Sequence, residues 1–196
     1  MLIRIVFLAV ACACAGAHAA PITYFAELTG PNEAPPNASP GIGQAYVTID
    51  TAAHTLVIDV AFSGLIGTVT AAHIHCCTAT PFTDTVGVAT MLPTFAGFRS
   101  GVTAGTYLNT FDTSLTTTFG AAFLTANGGT AAGAEAALAA GLAQGRAYFN
   151  IHTTQFSGGE IRGFLTPIPE PGTMALVGIP VALAWILRWG RRTGRA

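Results

Sequence analysis

The stretch Ala45-Tyr46-Val47-Thr48-Ile49-Asp50-Thr51-Ala52-Ala53-His54-Thr55-Leu56-Val57-Ile58-Asp59-Val60-Ala61-Phe62 decides the fold class. In its first half Ala45, Val47 and Ile49 alternate with Tyr46, Thr48 and Asp50. In its second half His54, Leu56, Ile58, Val60 and Phe62 fall on one face, with Thr55 and Asp59 on the other. A strand sends successive side chains to opposite faces, so a period of two marks a half-buried strand. Two such runs across the short link Thr51-Ala52-Ala53 predict a β-hairpin, with Asp50 at its turn and Asp59 facing solvent.

Working outward, Thr68 to His75 is a third strand candidate. Arg146 to His152 and Glu160 to Leu165 form a late pair joined by residues 153–159. One segment has a different period. From Ala131 to Ala143 the chain is alanine-rich, with Glu135, Leu138 and Leu142 at helical spacing and Gly145 placed to end the helix. Residues 120–126 add a short helical turn, and the Thr-, Gly- and Pro-rich stretch from Cys76 to Thr106 reads mostly as loop. No period of tens of residues recurs, which argues against a repeat architecture. The expected fold is mostly β, an antiparallel β-sandwich or flattened barrel with one inserted helix.

Charge narrows the function classes. Only 9 % of the residues are charged against 51 % apolar, a composition that disfavours disorder. Between Pro21 and Ile168 the basic side chains are Arg99, Arg146 and Arg162, against eight acidic ones, a net charge of −5. A nucleic-acid partner is excluded, because phosphate binding needs a basic footprint.

The two ends read as processing segments. Arg4, the apolar run Ile5 to Ala11 and Ala17-His18-Ala19 have the layout of a secretory signal peptide over residues 1–19, cleaved after Ala19 or Ala20. A lipoprotein acylated at Cys12 or Cys14 is the lesser alternative, since neither cysteine has leucine three positions upstream. At the far end Pro169-Glu170-Pro171 opens a short linker (169–173), followed by an apolar run at 174–187 and a basic end at 188–196. The run is expected to be a transmembrane helix in the inner membrane, with its arginines cytoplasmic by the positive-inside rule. A buried C-terminal core helix is the alternative, and it leaves those arginines unexplained. Residues 20–166 then form one domain, large enough for a core of its own.

The three-part tail of residues 167–196 resembles the PEP-CTERM sorting signal. That resemblance implies recognition by an exosortase in a Gram-negative host, processing after a membrane-anchored stage, and a mature protein in the periplasm, at the outer surface or outside the cell. Many such hosts make extracellular polysaccharide, which becomes a candidate partner. Within the domain, Leu28-Thr29-Gly30-Pro31-Asn32-Glu33-Ala34-Pro35-Pro36, Ala71-Ala72-His73-Ile74-His75, and Tyr148-Phe149-Asn150-Ile151-His152-Thr153 with Gly158-Gly159-Glu160-Ile161-Arg162-Gly163 resemble the CHRD (chordin-type) domain. The phrases occur in that family's order and imply an extracellular β domain. Ala34 stands where a larger apolar residue is expected, and Cys76-Cys77 replaces a glycine-containing stretch.

Chemistry concentrates on three histidines. His73 and His75 are two apart on a strand and share a face; His152, with Tyr148 and Asn150, supplies a polar face on another. Together they are candidate ligands for copper or zinc, with Glu160 as the carboxylate that would orient an imidazole. The competing reading is that the histidines only hydrogen-bond loop carbonyls at a sheet edge. The His-x-His strand with a distant third histidine also resembles copper/zinc superoxide dismutase, locally and without a second ligand set. Cys76 and Cys77 are the mature chain's two cysteines. They form a vicinal disulfide, bind a soft metal together, or bridge to other chains. Glu160 and Arg162 share a strand face and read best as an exposed ion pair. No nucleophile elbow, phosphate-binding loop or dinucleotide fingerprint is present, so no catalytic residue is assigned. The expected function is an exported, non-enzymatic surface or matrix domain; the alternative is a metal-binding redox or carrier protein.

Overall fold

A computed structural model describes residues 20–169. The signal segment, Glu170 and Pro171, and the 174–187 run lie outside them. Among the described residues no helix is long and apolar enough to cross a membrane.

The strands are β1 (Ile22–Thr29), β2 (Ile42–Asp50), β3 (Thr55–Ser63), β4 (Val69–Cys76), β5 (Gly105–Asp112), β6 (Ala147–Thr153), β7 (Ile161–Phe164) and β8 (Thr166–Pro167), with helices α1 (Ala121–Ala126) and α2 (Ala131–Ala143) between β5 and β6. All pair antiparallel in one sheet of order β4-β6-β7-β1-β2-β3-β5, and β8 pairs with β1. The result is a single sheet curled into a half-barrel, rather than two sheets stacked face to face. Its inner face carries the alternating apolar set read from the sequence: Ala45, Val47, Ile49, Leu56, Ile58 and Val60 are all buried. Asp50 Oδ1 accepts from the amides of Ala52 and Ala53 and closes the β2–β3 turn, both at 2.9 Å.

Three features differ from the sequence reading. His54 is not the first inward residue of β3; it sits in the turn with φ +55°, and its ring bonds the buried carboxylate of Glu135 on α2. β1 and β5 were not expected as strands. In β5 the inward residues Tyr107 and Phe111 are separated by Asn109, while Leu108 points outward and is 71 % exposed, which breaks the amphipathic signal.

The loop of residues 77–104 closes the half-barrel. It runs along the β4 edge, where Ala89 N donates to Ile74 O (2.9 Å), Phe95 N to Ala72 O (3.3 Å) and Val69 N to Val102 O (2.9 Å). This satisfies the edge that a free strand would leave open to other chains. Phe95 stacks on Phe149 of β6 and on Phe111 of β5, bridging the two sides of the curl. Thr130 caps α2 by accepting from Gly133 N, and Gly145 takes φ +66° just past its end. Leu138 and Leu142 of α2 are fully buried.

Candidate metal centre

Strand alternation divides β4 between two environments. Ala72, Ile74 and Cys76 enter the apolar core, and His73 and His75 face the other way. On β6, Phe149 and Ile151 enter the core, while Tyr148, Asn150 and His152 share the histidine face. Register then sets the neighbours: His73 lies opposite Asn150 and His75 opposite Tyr148, with Asn150 in turn opposite Arg162 on β7. Loops cover this second face, so His73 and His75 are buried and His152 is half-buried.

Each imidazole is anchored by one nitrogen. His73 Nε2 donates to Pro93 O (2.8 Å), His75 Nδ1 to Val86 O (2.8 Å) and His152 Nδ1 to Ser157 O (3.0 Å). A carbonyl oxygen only accepts, so each contact places the N–H there and leaves a lone pair on the other nitrogen. Those other nitrogens converge. His75 Nε2 and His152 Nε2 are 3.4 Å apart, His73 Nδ1 is buried with no hydrogen-bond partner, and one ligand atom from each ring lies within 4.8 Å of the others.

Electrostatics keep the rings neutral. Burial pushes His73 down to about 4 against the pull of the Pro93 carbonyl, with His152 adding repulsion. Burial likewise takes His75 to about 4, and it lowers His152. Neutral rings mean that His75 and His152 point lone pairs at each other, which is unfavourable unless an electrophile lies between them. Two nitrogens bound ~2.0 Å from a tetrahedral ion are about 3.3 Å apart, so the His75–His152 spacing fits zinc or copper, while His73 lies within 4.8 Å and would close in on the ion. Carbonyl-anchored imidazoles are also the usual way that metal-binding histidines are oriented. The two sequence readings are therefore compatible: every histidine bonds a loop carbonyl, and doing so aims its free nitrogen at the others.

The remaining candidates divide differently. Cys76 and Cys77 form a vicinal disulfide on the opposite side of the sheet, packed on Gly141 of α2. With each sulfur bonded to the other and turned from the histidines, neither is placed to share a metal with them. Glu160 does not orient an imidazole. It is fully buried before β7, where its carboxylate accepts from Ser39 Oγ (2.6 Å), Thr153 Oγ1 (2.7 Å), Ile66 N (2.5 Å) and Gly67 N (3.0 Å). Burial would raise its pKa, but these four donors outweigh burial and lower it. Nor does Glu160 pair with Arg162, which is buried rather than exposed. The Arg162 Nε donates to Asn32 O (2.6 Å), Nη1 to Asp84 O (3.2 Å), and the guanidinium lies 4.7 Å from the Tyr148 ring centre. Tyr148 in turn stacks on His75 with ring centres 4.8 Å apart, so the cation reaches the histidine cluster through one phenol ring.

Loop carbonyls are partners that the sequence reading already considers, but which carbonyls they are carries no residue-type signal. Sequence reasoning gives Glu33, buried beside Arg162 at 3.8 Å, no role beyond its place in the Leu28–Pro36 phrase.

A curled antiparallel sheet with a loop-covered polar face that gathers three histidines defines a β-rich domain with one candidate site. The CHRD domain model matches residues 24–165, and the chain belongs to the CHRD family. No curated protein and no solved structure matches it.

Proposed function

We propose that this chain is an exported CHRD domain of the cell surface or extracellular matrix, and that it binds one copper or zinc ion through His73, His75 and His152. The observation that carries the metal reading is the convergence of three unprotonated ring nitrogens whose partner nitrogens are tied to loop carbonyls. Three neutral ligands would leave the ion its full positive charge and an open position. The site therefore suits a carrier or redox role in which a small ligand completes the shell.

The itinerary rests on the ends of the sequence. The amino-terminal layout supports export, and the Pro169-Glu170-Pro171 tail supports a membrane-held precursor sorted by an exosortase, with extracellular polysaccharide as the neighbouring material. For the domain itself we favour a binding or carrier role over a catalytic one, on the sequence reading that assigned no catalytic residue.

Metal content tests the central claim. The full-length chain, made with its signal in a Gram-negative periplasm, is expected to carry about one copper or zinc after exposure to both, by mass spectrometry. His75→Ala and His152→Ala should lose it. Metal-free wild-type protein after that exposure would remove the reading. Recovery of the precursor in the cytosol rather than with membranes would remove the itinerary.

A further inference from the structure

Two buried acceptors beside the histidine face lack donors: Glu33 Oε1 and Asn150 Oδ1. They flank a single point: Glu33 Oε1 and both amide atoms of Asn150, Oδ1 and Nδ2, are each 2.5 Å from where a Cβ on Gly159 would stand, and Nδ2 already has Gly158 O as its acceptor. Two bare acceptor oxygens sharing one buried pocket are each left without a donor, and a proton on the carboxyl would satisfy both. Asn150 is central to the site: it lies opposite His73 in the sheet, and its Nδ2 donates to Gly158 O at 3.4 Å. Gly158 follows Ser157, whose carbonyl anchors His152.

We propose that the Glu33 carboxyl keeps its proton into the mildly acidic range, that its O–H donates to Asn150 Oδ1, and that this bond holds the 154–159 turn so that Ser157 aims the free nitrogen of His152 at the metal position. Glu33 is thus a positioning residue, acting on the ligand through Asn150 and the turn. The inference rests on the metal reading above for its consequence, though the proton itself does not. Burial raises Glu33 to about 7 despite Arg162, in accord with a carboxyl that keeps its proton. The charged and titratable groups facing it are Arg162 from β7 at 3.8 Å, Tyr148 from β6, and Asp84, which lines the same pocket from the 77–104 loop. None supplies a hydrogen bond to Oε1. His73 and His75 stay neutral throughout pH 6 to 8.5, so their own titration does not mimic the effect.

The test measures Zn(II) affinity by chelator competition from pH 6 to 8.5 in the full-length wild type, Glu33→Gln and Glu33→Ala. Glutamine keeps a donor for Asn150 at every pH, and alanine keeps none. Wild type and Glu33→Gln should agree at pH 6. By pH 8.5 wild type should fall about tenfold below Glu33→Gln, the lower end of what orienting partners of metal ligands contribute, while Glu33→Ala should be weak throughout. Parallel profiles for wild type and Glu33→Gln would overturn the proposal. So would carbon NMR showing the wild-type Glu33 carboxyl titrating near 4.5, because an ionised Glu33 would then be accepting from the Asn150 amide. Absence of zinc binding in every variant at pH 6 would instead defeat the metal centre. In that event the carboxyl titration and the His152 ring signals of the metal-free wild type still decide whether the proton holds the turn.

Discussion

Glu160→Gln separates the two roles open to the buried carboxylate at the sheet edge. Each carboxylate oxygen accepts from one hydroxyl and one backbone amide: Oε1 from Ser39 and Ile66, Oε2 from Thr153 and Gly67. Glutamine turns one oxygen into an NH2. The facing hydroxyl can rotate and accept, but the facing backbone N–H cannot, so one donor is left pointing at another. A buried unsatisfied group costs about 1–3 kcal/mol, and loss of charge-assisted bonds at the other oxygen adds to it, giving about 3 kcal/mol in all. In urea, with a slope of about 2 kcal/mol per molar, the unfolding midpoint of the metal-free chain should fall by about 1.5 M at pH 7. Because its bonds lower the folded pKa of Glu160, that stability is present above the ordinary value of 4.5 and is lost as pH falls through the folded pKa. The gap between wild type and variant should therefore close in acid. Zinc affinity should change less than about twofold, since Glu160 touches none of the three histidines; a metal-orienting carboxylate would cost about tenfold or more. An unchanged midpoint with a tenfold loss of zinc affinity would refute the assignment and return Glu160 to the metal site.

Other outcomes follow from the same geometry. Glu33 has the opposite sign from Glu160: its pKa is raised from 4.5 to about 7, so its contribution is full below 4.5 and is lost as pH rises through about 7. After discounting for screening near the pocket mouth, wild type should lose about 1 kcal/mol relative to Glu33→Gln between pH 6 and 8.5, checked by urea unfolding without metal. Gly141→Ala would place a methyl 2.2 Å from Cys76 Sγ and 2.4 Å from Cys77 Sγ, so α2 must shift from the sheet, at about 2–3 kcal/mol in thermal unfolding. Phe95→Ala should cost about 3–5 kcal/mol, because its fully buried ring stacks on both Phe149 and Phe111; denaturant titration measures it.

How much of the site could be read in advance depended on the range of the interaction. His73 and His75 share a face because they are two apart on a strand, and that periodicity is local. Nothing local places His152 beside them; the β4–β6 register, with His73 opposite Asn150, supplies the physical reason. Glu160 was misread because its neighbours in sequence, Ile161 and Arg162, suggest a continuing strand. In the structure it precedes β7 and turns toward Ser39, Ile66 and Gly67, more than ninety residues away along the chain. Arg162 was expected to be exposed because charge usually is; Asn32 O, Asp84 O and the Tyr148 ring together make its burial tolerable.

By itself the sequence determined the antiparallel hairpin of β2 and β3, the helix α2, the acidic balance of the domain and the strand face that His73 and His75 share. Each follows from spacing along a few residues, where the pleat or the helical turn sets direction. Tertiary structure alone decided that the sheet is one curled layer, that a long loop seals its β4 edge, and that three carbonyls from that loop and the 154–159 turn select the histidine tautomers. Those outcomes depend on backbone groups brought together from distant segments. A carbonyl has the same chemistry in every residue, so only the path of the folded chain distinguishes the ones that aim a ligand.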